Sequence, residues 1–175
     1  MSEGNAPLIL TAQLPDDLHA RYTALRDAYF PAERNYLEAH VTLFHALPGM
    51  CQGEVVTVCE RMARDFAPVA GEVVGLMSLG RGTAIKLESP AMLRLRDLLA
   101  DGFHGLLTQQ DRHRPRLHVT IQNKVSGKEA KALQAQLDGT ILPRRCTFPC
   151  LSLFHYRGRH SKHVQTLALR GKDTE

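Results

Sequence analysis

The tripeptide His-Val-Thr occurs twice in the chain, at His40-Val41-Thr42 and His118-Val119-Thr120, and each copy sits at the same place in a longer repeated order of elements. Leu8–Leu14 reads as an apolar strand. Pro15, with Asp16 and Asp17, opens a helix carrying Leu18, Tyr22, Leu25 and Tyr29 on one face. Pro31 ends that helix, and Glu38–Leu47 is the strand holding the first motif, closed by Pro48-Gly49. A helix bearing Val55, Cys59, Met62 and Phe66, a strand at Val73–Leu79 and the turn Gly80–Gly82 complete the first pass. The second pass repeats it. Strand Thr83–Glu88 leads to a helix with Ser89 as N-cap, Pro90 in its first turn, and Met92, Leu95, Leu99 and Leu106 on its apolar face. The polar loop Gln109–Arg116, the strand Leu117–Val125 with the second motif, and a helix opened by the Ser126/Glu129 capping box follow. Two strands, about Cys150–Tyr156 and about His163–Arg170, close the chain around the turn Arg157–Lys162. Pro15 and Pro90 lie 75 residues apart, and His40 and His118 lie 78 apart, so the landmarks keep step. Such a duplication predicts an α+β fold: one domain over residues 1–175 made of two pseudo-symmetric lobes, roughly 8–82 and 83–170, with exchange of strands between them left open.

Strand periodicity assigns chemistry to the repeat. Side chains alternate faces, so His40 and Thr42 point one way while Val41 and Leu43 pack on the other, and likewise His118 and Thr120 against Val119 and Ile121. One such tripeptide is explained by strand propensity alone, but a core does not need histidine twice at matching positions. Two imidazoles and two hydroxyls facing across a groove suit a phosphodiester. One neutral imidazole takes a proton from the attacking oxygen, the other gives one to the leaving oxygen, and the hydroxyls hold the non-bridging oxygens. Imidazole fits both roles because its ordinary pKa is about 6.5.

The net charge of +4 is too mild to imply nucleic-acid binding by itself, yet it conceals a segregation. Residues 1–111 hold 9 Lys/Arg against 14 Asp/Glu, and residues 112–175 hold 13 against 4. The basic segment, which contains the second motif, points to a phosphate-bearing partner. No run approaches the ~20 apolar residues of a membrane helix, and the first residues lack the pattern of a signal peptide. The expectation is a cytoplasmic protein with four reduced thiols, because the spacings of Cys51, Cys59, Cys146 and Cys150 make no paired zinc knuckle.

The paired motifs His40-Val-Thr42-Leu43 and His118-Val-Thr120-Ile121, of the form H-x-[ST]-hydrophobic, resemble those of the 2H phosphoesterase superfamily, also called LigT-like or 2′-5′ RNA ligase-like proteins. The resemblance implies a bilobal α+β fold with two antiparallel sheets lining a central groove and helices outside. It also implies metal- and cofactor-free action on 2′,3′-cyclic or 2′-5′ phosphodiesters of nucleotides or RNA ends, as a cyclic phosphodiesterase or, in reverse, a ligase. Carried over, His40 and His118 are the catalytic acid–base pair, and Thr42 and Thr120 bind phosphate oxygens. Other candidates come from placement. Phe44 shares the face of His40 if no bulge intervenes, and Gln122 and Lys124 share that of His118. Arg114 and Arg116 precede the second motif and suit an anionic substrate. Of His155 and Tyr156, whose faces oppose, at most one is expected to line the groove unless a bulge intervenes, and the resemblance favours the aromatic Tyr156. His45 is expected on the opposite face, as a structural residue. The basic turn Arg157–Lys162 is a further candidate for phosphate contact.

Other classes fit less well. A metal hydrolase lacks an H-E-x-x-H and a carboxylate in either motif, and a general RNA-binding module lacks aromatic platforms, with aromatics at 6%. A nucleotide- or RNA-end-binding module with little turnover needs the same pocket without the chemistry. The partner expected is a nucleotide or RNA end, with no membrane and no obligate protein partner.

Overall fold

The computed structural model describes residues 5–158 and 160–172. In chain order the regular elements are β1 (Leu8–Ala12), α1 (Asp16–Tyr29), β2 (Val41–Leu47), α2 (Gln52–Asp65), β3 (Val69–Ser78), β4 (Thr83–Glu88), α3 (Pro90–Gly102), β5 (His118–Gln122), α4 (Gly127–Leu137), β6 (Arg144–Phe148), β7 (Cys150–Arg157) and β8 (His160–Ala168). The strands form two four-stranded antiparallel sheets, ordered β2-β1-β7-β8 and β5-β4-β3-β6. This is the α+β class the duplication predicts. Each motif strand is the edge strand of its own sheet, and each sheet takes a strand from the other pass: β3 pairs with β4, and β7 returns to β1.

Local chemistry explains the element ends. Ser89 Oγ accepts the Met92 N–H at 3.0 Å and donates to Ala70 O at 2.6 Å, so one hydroxyl starts α3 and ties it to β3. Ser126 Oγ accepts the Glu129 N–H at 3.1 Å and starts α4. Helix α3 stops at Gly102, so Leu106 lies beyond it, although Phe103 at its C-cap is fully buried. The strand β6 is not evident from sequence. It is a five-residue edge strand between two prolines, and only Cys146 and Phe148 turn inward. The apolar faces of α2 (Val55, Cys59, Met62) and α3 (Met92, Leu95, Leu99) join both sheets in one core. A fully buried Leu or Phe there contributes about 1.5–3 kcal/mol. All four cysteines are free thiols, and burial pushes that of Cys59 up to about 12.

After its motif β5 carries one irregularity of one residue and β2 carries two, the second between Phe44 and Leu47. Thr11 faces Thr42 while Leu10 faces Phe44, which leaves Leu43 as an extra residue; Ala84 faces Thr120 while Thr83 faces Gln122, which leaves Ile121 extra. A bulge exchanges the faces of the residues that follow it, until a second one restores them. The free edge of β2 is satisfied by side chains. The Asp111 carboxylate accepts the N–H of His45 at 2.9 and 3.1 Å and of Ala46 at 3.0 Å, and Arg96 Nε donates to Leu43 O at 3.2 Å. A second Arg96 nitrogen donates to the carbonyl oxygen of Asp111 itself. On β5, Arg26 Nη1 of α1 donates to Thr120 O at 2.8 Å.

Asp111→Ala strips β2 of these acceptors and leaves part-buried N–H groups unpaired, so it should lower stability by about 1–2 kcal/mol. The urea midpoint measures this, and an unchanged midpoint would show that Asp111 does not hold the edge.

Candidate active site

His40 lies one residue before β2, and His118 is the first residue of β5. Each imidazole is fixed in the same way. His40 Nδ1 is 2.7 Å from Glu38 O, and His118 Nδ1 is 2.6 Å from Arg116 O. A carbonyl oxygen only accepts, so Nδ1 carries the hydrogen in both rings, and Nε2 is the working nitrogen. Burial first, and then the positive charges of Arg26 and His118, push the His40 pKa down to about 4, against the opposing bond to Glu38 O. His118 is thus among the positive groups that act on His40.

The lining of the groove is crossed between sheets. A cleft of about 670 Å³ brings His40, before β2, together with Thr120 of β5 and with Arg26, Tyr36, Asn123, Lys124 and Tyr156. A smaller cavity of about 230 Å³ brings His118 of β5 together with Thr42 and His45 of β2, and with Arg96, Arg114 and Arg116. Each imidazole therefore shares a space with the hydroxyl of the other motif. Among the described residues no three His, Cys, Asp or Glu are grouped to hold a metal ion.

Thr42, Thr120, Lys124, Arg116 and Tyr156 line these spaces. Tyr156 is 48% exposed over the larger cleft. Its neighbour His155 is buried, with Nδ1 at 3.1 Å from Ala6 O and Nε2 at 2.6 Å from Gln52 Oε1, a structural role. Lys124 reaches the cleft from a left-handed backbone (φ 58°) beyond the end of β5 rather than by strand alternation. Arg114 is held by Asp97 at 2.6 Å. In the basic turn 157–162, Gly158 and Ser161 line the cleft, while Arg159 lies outside the described residues.

Two expectations are overturned by the bulges. Phe44 does not face the groove: it is fully buried, edge-on to Phe103 at 5.2 Å between ring centroids, with the Arg96 guanidinium 4.2 Å above its ring. Gln122 likewise turns inward, where Oε1 accepts from Thr83 Oγ1 at 3.0 Å. Gly82 permits this approach, since a Cβ there would lie 2.2 Å from Gln122 O. One residue further on, His45 and Asn123 take the vacated places and line the two cavities. Expected on the far face, His45 is thus a groove residue. Leu43-Phe44, two apolar residues in succession, is the signal that the strand alternation breaks there; Ile121-Gln122 carries no such signal.

Arg26 and Arg96 were not singled out by the motifs. Both interrupt an apolar helix stripe: the buried residues of α1 are Leu18, Tyr22 and Arg26, and those of α3 include Met92 and Arg96. An arginine four residues after a buried position is the readable sign. Arg26 also stacks over Phe30 at 4.3 Å, and its burial lowers its pKa to about 10.

The comparisons agree with this architecture. A family model described as the 2′-5′ RNA ligase superfamily matches residues 14–160. Among solved structures, the protein TT0787 of Thermus thermophilus is 16% identical with a TM-score of 0.63, over 95% of this chain and 100% of that one. LigT of E. coli, in a structure complexed with 3′-AMP, is 16% identical with a TM-score of 0.61, over 94% and 98%. A third, described as a phosphoesterase, is 14% identical with a TM-score of 0.62, over 95% and 99%. At these identities the likeness is one of fold. No curated protein matches the chain at a significant level.

The environment of His40 has a direct readout. Its imidazole resonances in an NMR titration should stay those of the neutral ring through pH 6 and move only near pH 4, as burial and Arg26 dictate. Arg26→Gln removes a positive charge and should raise that midpoint. Titration of His40 at the ordinary value near 6.5 would contradict this geometry.

Proposed function

The chain belongs to the 2′-5′ RNA ligase superfamily, and we propose that it is a metal-independent phosphoesterase opening 2′,3′-cyclic or 2′-5′ phosphodiesters of nucleotides or RNA ends by two-histidine acid–base catalysis. The observation that carries the reading is the matched pair of imidazoles, each with Nδ1 bound to the carbonyl two residues earlier and Nε2 left for chemistry. One Nε2, unprotonated, accepts a proton from water as its oxygen attacks phosphorus. The other, carrying a proton, delivers it to the departing ribose oxygen. Thr42 and Thr120 hydroxyls and the nearby arginines receive the charge that grows on the non-bridging oxygens. The depressed pKa of His40 suits it to the proton-accepting role, and water attack on a cyclic phosphate leaves a monoester on one ribose oxygen. Ligation is the same step reversed and uses the same groups.

The larger cleft supports a nucleoside, with Tyr36 and Tyr156 as stacking surfaces and Lys124 and Arg26 as cations. The fold it shares with E. coli LigT, whose structures are described as complexes with 3′-AMP and with ATP, supports a ligand of nucleotide size.

Turnover of a panel of 2′,3′-cyclic nucleotides and 2′-5′ dinucleotides, with chelator present, tests the reading. His40→Ala and His118→Ala should each lower kcat by about 10²–10⁴. Nucleotide binding without turnover in the wild type would make the protein a binding module instead. Full turnover in the double variant would dismiss the site.

A further inference from the structure

The two halves of the groove are built alike and furnished differently. At the residue two before each motif histidine stand Glu38 and Arg116, and at the residue five after it stand His45 and Asn123. Because the lining is crossed, His118 shares its cavity with Arg116 and His45. His40 is flanked by Glu38 and Asn123. Equivalent positions are thus basic beside His118 and acidic or neutral beside His40.

The nearby carboxylates are held in place beside this charge, and that of Asp111 favours the protonated His45 ring while the Arg96 guanidinium faces both. Asp111 is buried and spends its oxygens on the N–H groups of His45 and Ala46. Asp97 is bound to Arg114 at 2.6 Å. Arg116 is exposed and forms no ion pair among the described residues. On the other side Glu38 lies 3.0 Å from His19, so the acidic counterpart is itself occupied. The bulge that carries His45 to this face is held by Asp111 and Arg96, so its imidazole is presented on a fixed backbone. At about 230 Å³ against 670 Å³, the basic cavity has about a third of the volume beside His40, too little for a second nucleoside of the size the larger cleft admits.

Resting on the phosphoesterase reading, we propose that the small cavity beside His118 is an anion subsite that takes a second phosphate of the substrate, bound by His45 and Arg116. The preferred ligands are nucleotides with a phosphate beyond the one between the two catalytic imidazoles. The nucleoside lies on the His40 side, and the additional phosphate accepts hydrogen bonds from the Arg116 guanidinium and the His45 imidazole. Burial holds the His45 pKa down, and an anion seated beside it favours the protonated ring.

Isothermal titration of the full chain with adenosine 2′- and 3′-monophosphates, and with the 2′,5′- and 3′,5′-bisphosphates, reads the subsite without requiring turnover. At least one bisphosphate should bind about 10-fold more tightly than its monophosphate, the gain expected of added charge-assisted hydrogen bonds. His45→Asn and Arg116→Glu copy the furniture of the other half onto surface positions. Together they should bring that ratio to about 1, again as the loss of those bonds requires. Monophosphates that bind and cyclic nucleotides that turn over, with bisphosphates no tighter, would overturn the subsite and leave the phosphoesterase standing. A wild-type preference that both variants retain would overturn it equally. Failure of the wild type to bind any of the four or to turn over the cyclic panel would remove both.

Discussion

The site depends on how two edge strands are satisfied. β2 and β5 each have a neighbour on one side only, so half of their backbone donors and acceptors face away from any strand. These groups cannot be left unpaired in a partly buried groove. On β2 the Asp111 carboxylate and the Arg96 guanidinium meet them; on β5 Arg26 meets the carbonyl of Thr120 itself. The arginines come from α1 and α3, so the helices fix the strands that carry the imidazoles and bring positive charge close to where a phosphate would sit. Stability and electrostatics are served by the same side chains, and the depressed pKa of His40 follows in part from Arg26.

Crossing of the two sheets has a chemical consequence. His40 shares its cleft with Thr120, and His118 shares its cavity with Thr42. Neither sheet alone gathers the imidazole and the hydroxyl that line one of these spaces. On the proposed reading, the two motif strands would set two proton-transfer groups on opposite sides of one phosphorus, the arrangement that in-line displacement needs. Positions at the same offset from the two motifs differ, as Glu38 and Arg116 or Asn123 and His45 do.

What could be read from the sequence was whatever periodicity and punctuation carry. The helix starts at Ser89 and Ser126 and the two strands that carry the motifs follow from spacing and caps. The bulges after Thr42 and Thr120 did not. A single extra residue leaves the composition of a strand unchanged while exchanging its faces, so Phe44 and Gln122 moved into the interior and His45 and Asn123 into the groove. Arg26 and Arg96 escaped notice because a long polar side chain on an apolar stripe reads as snorkelling to solvent, and only the packed structure shows the carbonyls they reach. β6 was too short, with two inward residues, to register as alternation.

The central claim is that the two Nε2 atoms converge on one phosphorus. A crystal structure of the chain with a nucleoside 3′-monophosphate tests it most directly. The account predicts the phosphate between the rings, with Nε2 of His40 and of His118 each within about 2.6–3.2 Å of a phosphate oxygen and the hydroxyls of Thr42 and Thr120 on the remaining oxygens. A phosphate bound to one imidazole alone, or seated outside the space between β2 and β5, would contradict it.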